Sequence, residues 1–452
     1  MIQGGDLVEH PNFGPGLVAE TRHGGYEARV DFTGYAIWVP AAKLSLLEKN
    51  AGVVKRGRVQ ANSLVRVPAS VDFQSRHVIE SLRLGVVPDF GIRDWTVGRT
   101  EEFAQIRTWL DDEAEGSLLI EGKYGSGKTH MLRHFAQTAL EEGRAVSLIR
   151  VDPGEENSSF PYRFFVSVMR NLQIPYQGSI TDIRTVFRER VLESTTTCID
   201  DHIFLGPFAA AIRAGKDTDA DWLGFMGEKG GSARFPSSCD FTTVANIVCN
   251  LLSAISRFLV DEVDVGGILL LVDEAETAEV RRYPYHWKRT LNFFRGLALV
   301  ANDDSVLEEE SEPNATGVRI GEVTGLVYSG HYPGVRYYHK VPTYLKLVLA
   351  LTDCRVKGKL EGWKANQPLV RLSDIRREDL RQLFARAAGV YSALHGVRIP
   401  PHLERWVLHD VLYEAFAAAS IRGFMKALIE VMDFLRHHPG TPLESLNSLR
   451  EF

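Results

Sequence analysis

The chain has 452 residues, 44% hydrophobic, 24% charged and 10% aromatic, which excludes collagen-like, disordered and coiled-coil classes. Its 52 basic and 58 acidic side chains give a formal charge of −6, so any nucleic-acid contact must come from a local patch. Cys198, Cys239, Cys249 and Cys354 lack C-x-x-C spacing, no signal-peptide pattern opens the sequence, and no apolar run approaches the ~20 residues of a membrane helix. A cytoplasmic protein without a membrane partner is expected.

Residues 1–48 form short runs of alternating polarity, separated by turn signals at 11–16, His23-Gly24-Gly25 and Thr33-Gly34, which predicts a small antiparallel β-barrel. Residues 49–71 carry Lys55, Arg56, Arg58 and Arg66 with no acidic residue and read as a basic linker. An α/β core is expected over 72–372. Its apolar segments Ser117–Glu121, Val146–Val151, Ile268–Val272 and Gly325–Ser329 each lie beside an amphipathic helix, which argues a parallel sheet with helices on both faces. Residues 200–240 read as a helical insertion, and 302–312, with six acidic residues and no basic one, as a solvated, mobile loop. From 373 to 452 only helical patterns occur (376–395, 402–419, 421–437), giving an α-helical lid.

The chemistry concentrates in Gly122-Lys123-Tyr124-Gly125-Ser126-Gly127-Lys128-Thr129, a full G-x-x-x-x-G-K-[ST] (Walker A) pattern between an apolar strand and an amphipathic helix. Such glycines let successive backbone N–H groups curl around phosphates, and the helix N-terminus adds its positive end. Lys128 is then the cation for the β/γ-phosphates, with Thr129 a hydroxyl ligand for Mg²⁺. A second acidic element is needed, and Ile268–Val272 runs into Asp273 and Glu274. Asp273 suits the metal and Glu274 the attacking water, a pairing that favours hydrolysis over transfer to a substrate hydroxyl. Ser329, at the tip of a strand expected between these two motif strands, is the candidate γ-phosphate sensor, with His331 behind it; capping a turn is the competing role for Ser329.

With Thr96-Val97-Gly98-Arg99 upstream and the helical lid downstream, this set resembles an AAA+ ATPase of the origin-recognition/Cdc6-like branch. The flanks 76–86, Tyr124–His130 and Ile421–Lys426 are similar to the ATP-binding proteins of BREX-type phage-defence systems, and the resemblance spans roughly residues 72–440. Residues 5–18 resemble a Tudor/SH3-like barrel. The resemblance implies that Val97, Gly98 and Arg99 lie near the adenine, that His130 closes the loop motif, and that Arg422 is a second sensor reaching the γ-phosphate when the lid closes. It also implies a homo-oligomer. No motif marks a trans-acting arginine; Arg281, Arg282, Arg289 and Arg295 follow Glu274, and Arg295 ranks first among them.

Two functions are compatible with these residues. One is a DNA-linked loader or switch in anti-phage defence, hydrolysing ATP with Mg²⁺ and serving a helicase, methyltransferase or nuclease recruited through the N-terminal barrel. The other is a signalling NTPase that recruits an effector through that barrel without touching DNA. Glu274 favours hydrolysis over a bound-only switch.

Overall fold

The computed structural model describes the whole chain except residues 1, 5, 12–13, 23–25, 33–34, 49–70, 89–90, 153–157, 229–230, 237–243, 281–283, 311–317, 329–333, 362–366, 398, 400–402, 405–406, 408–419 and 439–452. Most of the basic linker, most of the expected helix at 402–419, and Cys239, Arg281, Arg282, Ser329 and His331 therefore lie outside the described residues. The chain divides into two compact units, Met1–Ser70 and Val71–Phe452.

The first unit is an antiparallel sheet of β1 (Leu7–His10), β2 (Gly14–Arg22), β3 (Glu27–Phe32), β4 (Tyr35–Pro40) and β5 (Ser45–Glu48), ordered β4-β3-β2-β1-β5. Two-residue alternation sends Val8, Val18, Ala28, Val30 and Val39 into one core with Leu44. Strands β4 and β5 are sheet ends, yet only the 3₁₀ turn Ala41–Lys43 and Leu44 separate them. Three 3₁₀ residues cover ~6 Å, whereas five flat strands are ~19 Å across. The sheet must therefore curl toward closure.

The second unit opens with α1 (Val71–Leu84) and α2 (Thr100–Asp111), followed by β6 (Ser117–Glu121), α3 (Lys128–Glu141), β7 (Arg144–Arg150) and α4 (Pro161–Asn171). A hairpin of β8 (Leu172–Tyr176) and β9 (Ser179–Thr181) precedes α5 (Ile183–Glu193), α6 (Leu205–Arg213), α7 (Asp219–Phe225) and α8 (Ala245–Val263). Then come β10 (Gly266–Asp273), α9 (Pro284–Ala301), the short α10 (Val306–Glu309), β11 (Arg319–Ile320), β12 (Val327–Tyr328), β13 (Lys346–Leu351), α11 (Arg355–Glu361) and β14 (Leu369–Arg371). Helices α12 (Arg377–His395) and α13 (Ile421–His437) end the described chain.

The central sheet has seven strands in the order β14-β6-β13-β10-β7-β8-β9. The first five are parallel and the β8–β9 edge is antiparallel, so the sheet is mixed. Strands β10 and β13 are buried along almost their whole length, and their unbroken apolar sequences follow from being covered on both faces. One face packs on α4, α5, α6, α8 and α9 around Phe164, Phe187 and Phe258, and the other on α2 and α3 around Ile106, Leu132 and Phe135. A separate core joins α1 to α12 and α13 through Leu82, Phe384, Tyr391, Phe424 and Leu428, with Trp95 and Val97 inserted.

Two expectations are corrected. The segment Gly325–Ser329 does not supply a strand of the central sheet: β12 pairs antiparallel with β11 in a two-stranded ribbon. The strand between β6 and β10 is β13, whose six buried residues satisfy the two-faced environment that a two-residue strand does not fill. The acidic stretch 302–312 is also not wholly solvated. Glu310 is 4% exposed and accepts hydrogen bonds from the backbone N–H groups of Glu322 and Thr324 and from the Thr324 hydroxyl. These three donors hold its carboxyl below the ordinary range despite burial. Asp303 accepts from the Thr343 N–H in the same way.

Candidate functional site

Strand β6 delivers the chain to the loop 122–129, and α3 leaves it. Gly125 (φ +76°) and Gly127 (φ +96°) take left-handed backbone, the turn that side-chain-bearing residues resist. A side chain at Gly125 would also collide with Ser420, the N-cap of α13, so this glycine lets the lid rest on the loop. Beside it, Arg422 Nη1 donates to Tyr124 Oη at 2.9 Å and lies 5.4 Å from that ring's centre. Tyr124 is otherwise 73% exposed.

Lys128 begins α3 and is buried. Its ammonium donates to the carbonyls of Gly122 (2.7 Å) and Lys123 (3.3 Å) and is 4.0 Å from a Glu276 oxygen. Burial pulls its pKa below the usual lysine value. Across the loop, Thr129 Oγ1 donates to Asp273 Oδ2 at 2.6 Å, while Asp273 Oδ1 accepts from the Glu274 N–H. Burial raises the pKa of Asp273, as expected of a carboxylate lacking a full counter-charge. Two buried polar atoms here have no partner: Ser126 Oγ and Glu276 Oε2.

Glu274 takes φ +55°, left-handed backbone that is costly for a residue with a Cβ. Its carboxylate is ion-paired with Arg150 Nη2 at 2.7 Å, from the C-terminal end of β7. Parallel register explains the meeting: Asp273 lies opposite Arg150. Sequence reasoning missed Arg150, and it missed Glu276. Glu276 lies in the 3₁₀ turn Ala275–Val280 that follows β10, two residues beyond Glu274. Strand β13 ends at Leu351, opposite Glu121, so Thr352 and Asp353 hold the strand-tip position that the sequence had given to Ser329. Asp353 is bound to Lys357, leaving the half-buried Thr352.

Behind the loop lies a hydrogen-bonded polar knot. Arg99, 6% exposed, donates to Glu102 (2.8 Å), the Ser373 carbonyl (2.6 Å) and the Ser126 carbonyl (2.8 Å). This makes it a strut between loop and lid linker. The Thr96 hydroxyl donates to the Ile92 carbonyl and accepts from His130 Nε2–H and His134 Nδ1–H at 2.7 and 2.8 Å. Since one hydroxyl has one proton, both rings must be the donors there. Burial lowers the pKa of His130 to about 4, and that of His134 below its usual value. Gly98 faces the Asp379 carboxylate of α12.

These groups surround a cavity of about 400 Å³, the size of a small-ligand site. Its polar lining includes Gly125–His130, Asp273, Glu274 and Glu276, and its apolar lining Leu82, Val86, Pro88, Trp95, Val97 and Met425. Arg99, Tyr124 and Arg422 also line it, whereas Gly98, Gly122 and Lys123 lie beside its wall. Apolar side chains and the polar groups of the loop and of the β10 end thus line one cavity.

Residues 72–181 match the family model described as BREX system ATP-binding protein BrxC/D. The match spans α1, Thr96–Arg99, the glycine-rich loop and β7, and ends before Asp273. No curated protein matches the chain.

Proposed function

We propose that the chain binds ATP in this cavity and hydrolyses it, acting as a DNA-linked loader or switch in phage defence. The observation that carries the reading is the glycine-rich loop itself: a buried lysine at its end hydrogen-bonded to the loop carbonyls of Gly122 and Lys123, facing Thr129 and Asp273 across the loop. The similarity over 72–181 supports the ATP-binding part. The apolar lining takes the adenine. Lys128 exchanges its carbonyl partners for β- and γ-phosphate oxygens, and the Ser126 hydroxyl gains an acceptor. Thr129 and Asp273 offer a hydroxyl and a carboxylate to Mg²⁺, which would neutralise phosphate charge.

Glu274, once released from Arg150, takes a proton from water while the water oxygen bonds to the γ-phosphorus. The bond from that phosphorus to the β–γ bridging oxygen breaks, and ADP leaves with the electron pair. In this reading Thr352, at the tip of the intervening strand, orients that water. Arg422 swings from Tyr124 to the γ-phosphate as the lid closes. An arginine of a neighbouring copy completes the open side. Arg295 does not suit that role, being half-buried beside Gly325.

The reading predicts steady-state phosphate release from ATP with Mg²⁺, stimulated by single-stranded or duplex DNA. Absence of hydrolysis under every condition contradicts the enzyme. Hydrolysis indifferent to DNA removes the DNA link and favours an effector-recruiting NTPase working through the N-terminal sheet.

A further inference from the structure

Three carboxylates, Asp273, Glu274 and Glu276, line the cavity beside the loop. Two of them have a bonded side-chain partner: Asp273 accepts from the Thr129 hydroxyl, and Glu274 is ion-paired with Arg150. Glu276 differs. Its Oε1 stands 4.0 Å from the Lys128 ammonium, and among the described residues it is the one carboxylate within ion-pair range of that lysine. Burial lowers the pKa of Lys128, and of the charges around it Glu276 opposes that shift most.

The two side chains are mounted unequally. Glu276 projects from the turn Ala275–Val280, which packs on α9, α11 and β13. The next residue, Thr277, ties that turn to the end of β7: its hydroxyl donates to the Val151 carbonyl at 3.0 Å, and its N–H to the Glu274 carbonyl. The carboxylate is therefore carried on a fixed turn, whereas Lys128 reaches it on a flexible four-carbon stem. When the two part, the lysine is the one that moves.

Phosphates that draw Lys128 away leave Glu276 without its cation, in a place where burial already raises its pKa. They also bring like charge close to a carboxylate that water screens poorly. Both effects disfavour the loaded site relative to the empty one. They weigh most against ADP, which brings one phosphate fewer to compete for the ammonium.

We propose that Glu276 is a positioning residue acting through Lys128: it holds the ammonium in the empty loop, competes with phosphates for it, and so speeds the departure of ADP. The proposal rests on the ATP-hydrolysing reading above and adds control of product release to it.

The test compares the full-length wild type, Glu276→Gln and Glu276→Asp, with folding checked by melting. Affinity for ADP is measured by calorimetry in Mg²⁺ and in EDTA, and release by chasing a fluorescent ADP analogue with excess ADP. Glu276→Gln keeps the shape and removes the charge. It is expected to tighten ADP and slow its release ~10-fold or more, in Mg²⁺ and in EDTA alike. In turnover, KM for ATP should fall and kcat should not rise. Glu276→Asp, which restores the charge, should release ADP closer to the wild-type rate. A lower melting point of the empty Gln variant with unchanged ADP release would make Glu276 structural only. Weaker binding confined to Mg²⁺ would assign it to the metal, and a fall in kcat with KM and release unchanged would make it the base. Each of these results overturns the proposal and leaves nucleotide binding standing. If the wild type binds neither ADP nor ATP, the ATP reading itself fails and this proposal with it.

Discussion

Arg99 and Lys128 are both buried cations pressed against the loop 122–129, yet their surroundings differ. Arg99 faces a carboxylate, two carbonyls and a hydroxyl, so its charge has a partner at bonding distance within the chain. Lys128 has two carbonyls and a carboxylate at the edge of ion-pair range. Burial costs an ion several kcal/mol unless it is paired and hydrogen-bonded. The first cluster thus holds its carboxylate at bonding distance, and the second leaves Lys128 with its carboxylate at 4.0 Å, the opening that the proposed phosphates would fill. The comparison separates residues that build the site from those that use it.

The largest expected effect lies on the functional side. Glu274→Gln keeps shape but cannot accept the proton, so turnover should fall ~10²–10⁴-fold with ATP still bound. Wild-type turnover in that variant would place the base elsewhere, with Glu276 the next candidate. The same variant holds triphosphate, so light scattering with ATP and Mg²⁺ should show assemblies; a persistent monomer mass removes the neighbouring-copy arginine.

On the structural side, Arg99→Ala leaves Glu102, only 6% exposed, without its buried partner. Stability should drop by ~3–5 kcal/mol in a denaturant titration without any nucleotide. A change below 1 kcal/mol would dissolve the distinction between the two cations.

Acid should attack the same knot. His130 and His134 are donors held neutral by burial, and the folded pKa of His130 is about 4. The unfolded chain takes up protons first, near the ordinary histidine value of ~6.5. Stability is therefore fully present above ~6.5 and lost as pH falls toward 4, by at most about 3 kcal/mol for His130. His130→Gln should reduce that loss, measured as the melting temperature across this range. An unchanged profile would show that the ring does not carry it.

The smallest effect belongs to the lid latch. Arg422→Ala removes an exposed contact with Tyr124, worth ~0.5–1 kcal/mol, so the melting point without ligand should barely move. The extra stabilisation conferred by ATP should shrink more. Equal shifts with and without ATP would make Arg422 a surface contact only.

Most of the fold could be read from the residues, because both motif strands are unbroken apolar runs and the glycine loop joins a strand to a helix. Lid helices α12 and α13 were legible from their helical periodicity. What could not be read was long-range. A run such as Leu326-Val327-Tyr328 looks like Lys346–Leu351 until pairing decides which enters the sheet, and a register spanning some eighty residues carries no local signal. The same holds for Arg150, which meets Glu274 only because β7 and β10 run parallel. Glu310 was misjudged because its charge suggested solvent, while three donors from residues 322–324 receive it. At the site, Lys128, Thr129, Asp273 and Glu274 could be named as candidates from the motifs, and Arg99 as a cation near them, but the sequence cannot show the Glu102, Ser373 and Ser126 partners that hold Arg99.

The central claim is that the incomplete cluster around Lys128 is completed by the phosphates of ATP. Calorimetric titration of ATP and Mg²⁺ into wild type and Lys128→Ala, with folding checked by melting, addresses it most directly. The account predicts saturable binding to the wild type and none to a folded Lys128→Ala, whose melting point stays level or rises because a desolvated charge has been removed. An unchanged dissociation constant in the variant would contradict it.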